Sequence, residues 1–538
     1  MGLAYFLLEF AFAVIAITLA ACIYLKYVTF NYWSRKNVDY VKPVVPIGNM
    51  GPIFAGRRSF GEMIRDAYLD LKASRIFGVF MFHQPVLVVA DPDLIRMVLT
   101  KEFTHFHDRG MYCNEESDPL SGHLFSVAGS KWRFLRYKFS PVFTASKMKQ
   151  MLFTIKEISE TLNHRVAKDA EKSGLIEVKE LMARFSTDVI ASVAFGIKCN
   201  SLENTEAEFP TMGRKVFERR TLVNLIAILC PYVLHLLNIS VFGKEAPKFF
   251  IGVFEEAVRF RRDNKVVRND FLNVVIQLMN KGYIASDNDK TSATLAVSET
   301  TYPPENFENR KITMLEGAAQ AFVFWLGGFD TSSSTVTYCL YELALHQVLQ
   351  DKVAEEVNRV LEEFGDVSYE SIRAMDYLHK VVSETLRKYP VIPILNRECS
   401  ADFEFPETGL RIEKKTAIII PVLGLHWDPE LYPEPDKFDP ERFDTVNIAR
   451  RHQYAYLPFG EGPRNCIGMR FGLLQTKIGL ASLLSKYRFT PGPDLQVPLV
   501  MDSASFVQVP ANGVMLRVEM RSSQQSETRT PLLVLEPL

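Results

Sequence analysis

The sequence predicts a mainly α-helical protein with small β-sheets, built as one large domain behind an N-terminal transmembrane helix. Three observations carry this. Helical periodicity recurs from about residue 53 to 520, with no linker long enough to separate domains and no internal repeat. β-type runs are few and short: residues 78–89, closed by Asp91-Pro92, and residues 416–422. They do not alternate with helices as a parallel α/β sheet requires. Residues 3–25, finally, are apolar apart from Glu9.

Composition narrows the function. The 538 residues are 47% hydrophobic, enough for a large core, and the formal net charge of −1 excludes a generally basic nucleic-acid binder. Seven cysteines (Cys22, Cys113, Cys199, Cys230, Cys339, Cys399, Cys466) are odd in number, scattered and without a C-x-x-C pair, so neither a disulfide framework nor a zinc site is indicated. His105 and His107 are spaced for a strand rather than for a metal-binding helix. Chemistry must come from local motifs.

The elements follow in order. A helix over residues 3–25 would span about 34 Å, enough for a bilayer core. Lys26, Arg35, Lys36 and Lys42 behind it place the rest of the chain on the cytoplasmic face. Residues 1–25 are thus a transmembrane signal-anchor, and 26–52 a basic, Pro/Gly-rich linker. Its segment 42–52 is expected to be non-helical and stiffly extended, orienting the body against the membrane. Residues 53–520 form the main domain. Residues 221–254 are crowded with apolar side chains and fit either the membrane interface or a core helix pair. The polar stretch 285–310 reads as a mobile surface loop, and 521–538 as a disordered tail.

The strongest local signal is Pro458-Phe459-Gly460-Glu461-Gly462-Pro463-Arg464-Asn465-Cys466-Ile467-Gly468, ahead of an amphipathic helix over residues 469–484. A cysteine at a helix N-terminus is favoured as thiolate by the dipole and the free N–H groups, and glycines admit a bulky planar partner. Arg464 offers a fork for a carboxylate and Phe459 shields the sulfur. On these residues alone a nucleophilic cysteine remains open, although no histidine is adjacent as base. The spacing F-x-x-G-x-R-x-C-x-G resembles the haem-binding loop of the cytochrome P450 family. That resemblance implies the cytochrome P450 fold, haem b as cofactor and Cys466 as axial ligand of its iron.

Other motifs agree in order. A long helix over 311–349 is expected to be interrupted at Gly327-Gly328-Phe329-Asp330-Thr331-Ser332, because adjacent glycines cost about 1 kcal/mol each relative to alanine. It resembles the family's oxygen-activation motif, which implies that Asp330 and Thr331 are catalytic, organising water and delivering protons to dioxygen. Glu384-x-x-Arg387 and the Arg442 of Pro440-Glu441-Arg442-Phe443 are similar to a buried structural network that supports the haem pocket. Trp132 and Arg136 match W-x-x-x-R, which together with Arg397 implies propionate binding. His105-Phe106-His107-Asp108-Arg109-Gly110 and Asp118-Pro119-Leu120-Ser121 resemble insect microsomal, xenobiotic-metabolising members.

The resemblance implies a monooxygenase of the endoplasmic reticulum membrane. It would take electrons from NADPH through NADPH-cytochrome P450 reductase, with cytochrome b5 a further partner, and place one oxygen atom in a lipophilic xenobiotic, insecticide, plant toxin, lipid or hormone. A reductase-independent haem-thiolate isomerase or dehydratase and a non-enzymatic haem protein are the alternatives. Between Asp118 and Glu157 stand seven basic residues and no acidic one, a local positive field from which reductase docking through Lys138, Lys147 and Lys149 is expected. By the same analogy the substrate pocket draws on residues 106–125, the apolar segment near Thr221, and residues 322–331, 391–395 and 505–507.

Overall fold

The structure, a computed structural model, describes residues 2–204, 208–216, 236, 239–284, 307, 310–503 and 505–521. Helix α1 (Gly2–Tyr24) continues through a wide turn at Leu25–Thr29 into a short helix at Tyr32–Arg35. Among the described residues it is the one helix long and apolar enough to cross a membrane, with a mean hydropathy of 2.5 and no burial against the rest of the protein. Aromatic and aliphatic side chains along it stay exposed, as suits a helix whose solvent is lipid.

The anchor is joined to the body by packing. Trp33 is fully buried, its Nε1 donates to the Val79 carbonyl at 3.3 Å, and a Cβ on Gly78 would stand 2.3 Å from its ring. Tyr32 donates to Glu413 at 2.5 Å, and Lys36 Nζ lies 2.7 Å from the same carboxylate. Residues 42–52 are not extended as expected. Val44 and Gly48 exchange two backbone hydrogen bonds of 2.8 Å, and Gly51–Phe54 makes one helical turn with Pro52 in its opening positions, where a missing N–H costs nothing. Gly48 has φ +63°, and a Cβ there would lie 2.5 Å from the carbonyl oxygens of Phe80 and Phe82. The prolines and glycines therefore bend the chain closely onto the first sheet.

That sheet holds β1 (Ile76–Met81), β2 (Gln84–Val89), β4 (Leu395–Glu398) and β7 (Ala417–Ile420) in the order β1-β2-β7-β4. The β-type run expected at residues 78–89 is split by a turn into the antiparallel pair β1 and β2, β2 runs parallel to β7 with Leu87 beside Ile418, and β4 returns antiparallel with Arg397 opposite Ile418. A second antiparallel sheet orders β3 (Leu175–Glu177), β9 (Met515–Met520) and β8 (Tyr487–Pro491) as β3-β9-β8, and β5 (Phe403–Glu404) pairs with β6 (Arg411–Ile412). Trp33, Phe77, Phe80, Leu87 and Ile418 fill a core around the first sheet.

The larger core lies among helices. In chain order these are α2 (Phe60–Leu71), α3 (Gly129–Phe139), α4 (Ala145–Lys172), α5 (Val178–Ile190), α6 (Glu245–Asp263), α7 (Phe271–Lys281), α8 (Met314–Leu345), α9 (Gln347–Phe364), α10 (Asp376–Lys388) and α11 (Met469–Leu484). Helix α8 runs through the middle. Its start is fixed by a capping box between Thr313 and Glu316, and it is buried along most of its length. The expected interruption at Gly327-Gly328 does not occur: the helix continues unbroken for 32 residues, because burial on both sides of the glycines outweighs their helix penalty.

Of the apolar segment 221–254, α6 belongs to the core, with Phe250 and Phe254 fully buried. Residues 217–235, 237 and 238 lie outside the described residues, as does the polar segment 285–310 except for Phe307 and Arg310, and the tail beyond Arg521.

Candidate functional site

The cysteine loop is shaped by its own backbone. The Cys466 N–H donates to the Phe459 carbonyl at 2.8 Å and the Asn465 N–H to that of Gly462 at 3.0 Å, so Phe459 to Cys466 closes into a tight hairpin ahead of α11. Gly462 has φ +77°, and a Cβ there would come to 2.1 Å from the Leu99 carbonyl oxygen, so the loop needs glycine to approach the segment before it. Burial pushes the Cys466 thiol up. The Gly468 N–H and the positive charges of Arg136 and Arg109 pull the other way, favouring the thiolate, without overcoming burial.

Cys466 is nonetheless accessible at its surface, and so is α8 over residues 326–331, in the middle of an otherwise buried helix. Phe471 of α11 meets Phe324 of α8 at 5.1 Å beside this opening. Within that stretch of α8 Thr331 Oγ1 donates to the Gly327 carbonyl at 2.5 Å, and Asp330 accepts from Lys179 of α5. Lys179 also donates to Ser334 at 2.8 Å and Ser333 at 3.1 Å.

Four guanidinium groups converge on the cysteine loop. Arg136 donates to the Asn465 carbonyl at 2.9 Å and to its Oδ1 at 2.6 Å. Arg464 lies 4.7 Å over the ring of buried Trp132 and donates to the carbonyls of His107 and Val127, the latter at 2.6 Å. Arg109 donates to the Arg464 carbonyl at 3.2 Å and to that of Phe125 at 2.9 Å, and it stacks on the Phe125 ring. Arg397 of β4 is buried and donates only to its neighbour, the Asn396 carbonyl, at 2.8 Å. Burial weakens all four cations. Arg397 falls to about 9, helped by Arg464; Arg136 and Arg464 fall to about 10; Arg109 falls well below the usual range, with Arg397 and Arg464 adding repulsion. One carboxylate, Asp108, stands among them, 3.4 Å from Arg464 and held low by His107 and the Gly129 N–H against the effect of burial. Arg397 Nε and Arg464 Nε are buried without a hydrogen-bond partner.

This donor set is rich in positive charge, leaves two buried guanidinium nitrogens unpartnered, and presents an accessible thiol beside them. Haem carries two carboxylates and an iron that takes a thiolate, so the residues present fit it.

Behind the loop lies the carboxylate–arginine network. Arg387 holds Glu384 with two bonds of 2.7 and 2.9 Å, both side chains are fully buried, and the Asp439 N–H donates to the same carboxylate at 2.9 Å. Arg442 Nε comes to 3.4 Å of Glu384. Burial raises the Glu384 carboxyl in spite of both arginines. His426 extends this network: its Nδ1 faces the Arg387 carbonyl at 3.2 Å, and its Nε2 accepts the Leu457 N–H at 3.0 Å.

The structure thus brings together Trp132, Arg136, Arg397, Phe459, Arg464 and Cys466 on one side, Asp330 and Thr331 on another, and Glu384, Arg387 and Arg442 behind. Sequence reasoning does not single out Arg109, Lys179 or His426. The run containing Arg109 stands out only for its likeness to a subfamily, and no short-range signal marks the other two. Lys138 is buried, donating to the Gly282 carbonyl at 2.5 Å, so it is not open to a partner as expected, and Lys149 and Lys156 pair with Glu370 and Asp366. Phe106, expected in the substrate pocket, is fully buried against Phe403 and Phe405.

Comparison with known proteins agrees with this geometry. The family model described as Cytochrome P450 matches residues 42–517. "Probable cytochrome P450 6a14" of Drosophila melanogaster is 39% identical over 520 residues, covering 95% of this chain and 99% of the relative. "Cytochrome P450 6A1" of Musca domestica is 40% identical over 500 residues, 91% of this chain and 94% of that one. "Cytochrome P450 6k1" of Blattella germanica is 39% identical over 518 residues, 95% and 98% of the two chains. Matched nearly end to end by a family model and by insect relatives, the chain belongs to the cytochrome P450 family of monooxygenases.

Proposed function

We propose that this protein is a membrane-anchored monooxygenase of the endoplasmic reticulum, with its body on the cytoplasmic face. It takes electrons from NADPH through a separate NADPH-cytochrome P450 reductase and acts on lipophilic small molecules of the xenobiotic, plant-toxin or lipid type. The observation that carries this reading is the convergence of four guanidiniums, Arg397 and Arg464 among them buried, around the loop of an accessible cysteine, together with the accessible stretch of α8 that carries Asp330 and Thr331.

Haem, when bound, supplies the redox centre at which dioxygen is split between substrate and water. The remaining roles fall to the chain. Cys466 is the thiolate ligand, held by its hairpin and by the Gly468 N–H. Arg109, Arg136, Arg397 and Arg464, with Trp132 stacked on Arg464, would receive the two propionates, whose negative charge would relieve repulsion among the cations. Thr331 holds its hydroxyl on the Gly327 carbonyl, and Asp330 beside it, paired with Lys179, is the acidic group that supplies protons. Glu384, Arg387 and Arg442 hold the underside of the cysteine loop. Leu326 and Phe329, apolar and partly accessible in the same stretch of α8, suit greasy substrates.

The test is the ferrous carbon-monoxide difference spectrum of the purified protein and of Cys466→Ala, followed by NADPH consumption with reductase across a lipophilic panel. A thiolate-type Soret band lost in the variant, with product formation dependent on reductase, is expected. A histidine-type band, or turnover of a hydroperoxide with none from NADPH, would overturn the reading.

A further inference from the structure

An apolar pocket, open to the surroundings, lies where the anchor meets the body. Its volume is about 450 Å³. Ala21, Tyr24 and Leu25 of the anchor form one wall, and Pro46, Ile47 and Phe82 of the body form the other, with His83 beside them. Apart from His83 and the Tyr24 hydroxyl its side chains are apolar, and ~15 water molecules would be needed to fill it against walls that offer them little to bond.

Its position identifies what fills it. The anchor's wall residues stand at the end of a 23-residue apolar helix whose length, about 34 Å, matches the hydrocarbon core, so the cavity sits at the boundary between acyl chains and head groups. Tyr24 and Tyr27 with Lys26 make the aromatic and basic girdle typical of that depth. The apolar surface continues outward from the cavity: exposed Phe54 packs on Phe82 with ring centres 5.6 Å apart, and exposed Val44 lies two residues before Pro46. Exposed Arg57 and Arg58 follow Phe54 within one turn of chain.

We infer that this cavity binds one acyl chain of a membrane phospholipid, whose phosphate meets the basic fringe beginning at Lys26. A chain seated between the two walls would cement the anchor to the body and fix the angle at which the body meets the bilayer. The inference rests on reading α1 as a membrane anchor.

The test uses the full-length holoprotein in phosphatidylcholine nanodiscs, with native mass spectrometry after gentle ejection to count retained lipid, and vesicle flotation alongside. Ala21→Trp and Ile47→Trp fill the cavity from opposite walls and lie away from the haem site, so an unchanged carbon-monoxide spectrum shows that the fold survives. Wild type should retain one phospholipid and both variants about tenfold less, while all three float with the vesicles. Flotation of all three with equal retention, or with none in the wild type, would overturn the lipid site while leaving the anchor intact. A wild type that does not float would overturn the anchor reading and the site with it.

Discussion

His426 accepts the backbone N–H of Leu457 at 3.0 Å, nine residues ahead of Cys466. An N–H pointing at Nε2 leaves the proton on Nδ1, where it faces the Arg387 carbonyl at 3.2 Å. One neutral imidazole therefore spans the distance between the Glu384–Arg387 pair and the strand of chain that leads into the cysteine loop. The network supports the loop through a hydrogen-bond relay as well as by charge.

Removing that imidazole should be felt at the cysteine. His426→Ala leaves two buried backbone groups unpartnered, at a cost of about 1–3 kcal/mol. Urea unfolding should show this loss, and the carbon-monoxide spectrum should show a fraction of the protein without the thiolate-type band. Destabilisation with an unaltered spectrum would mean that the imidazole only fills space.

The same burial sets a pH dependence. Burial lowers His123 to about 4 and His426 to about 3, so both stay neutral in the folded protein through the weakly acidic range. In the unfolded chain each takes up a proton below about 6.5. The unfolded state thus binds more protons, and stability, full above that value, should fall with pH by about 1.4 kcal/mol per unit for each histidine. Unfolding at pH 6.5 and 5.0 measures the slope. In His426→Gln it should be shallower by one histidine's share.

Which elements were legible follows from sequence separation. The cysteine loop and Glu384-x-x-Arg387 carry their partners within a few residues, so spacing exposed them. Lys179 meets Asp330 across 151 residues and Arg109 meets Arg464 across 355, and no local pattern records such meetings. The failed expectations share that cause. Lys138 belongs to a basic run by sequence, but its place in the last turn of α3 sends it into the core toward Gly282, and the charges of Lys149 and Lys156 are cancelled by acids more than 200 residues away. Gly327 and Gly328 read as a break because local propensity counts only the chain itself, whereas α8 is held by what packs on it.

Like charges around Arg109 predict opposite effects with and without the cofactor. Arg109→Gln removes one cation from a cluster that repels itself, so the haem-free protein should melt no lower than wild type. Haem retention should fall about tenfold, read as transfer to a competing apoprotein. Equal effects on both forms would place Arg109 outside the propionate site.

Proton supply is separable from binding. Thr331→Ala removes the hydroxyl held by Gly327, and Asp330→Asn removes the charge that Lys179 neutralises. Substrate affinity should change little. Product formed per NADPH consumed should drop, with turnover lower by about 10²-fold for Asp330→Asn, the low end for general acid catalysis. Intact coupling in both variants would remove these residues from the proton path.

On the proposed function, a reductase would dock on cations that reach the surface near Cys466. Arg133 is exposed one turn before Arg136, whose guanidinium holds Asn465, and Arg470 is exposed in the first turn of α11, four residues past the cysteine. Electrostatic steering depends on such exposed charge and falls with salt. Arg133→Glu and Arg470→Glu should each raise the reductase concentration needed for half-maximal turnover several-fold at low ionic strength, and the effect should shrink as salt is added. Lys149→Ala, which only opens an exposed pair with Glu370, should do little to either docking or stability. Lys138→Ala should leave docking alone and cost stability, since the Gly282 carbonyl loses a buried partner. If Lys138→Ala instead weakened reductase binding with no change in its melting temperature, the buried position of that lysine could not be the state that meets the reductase.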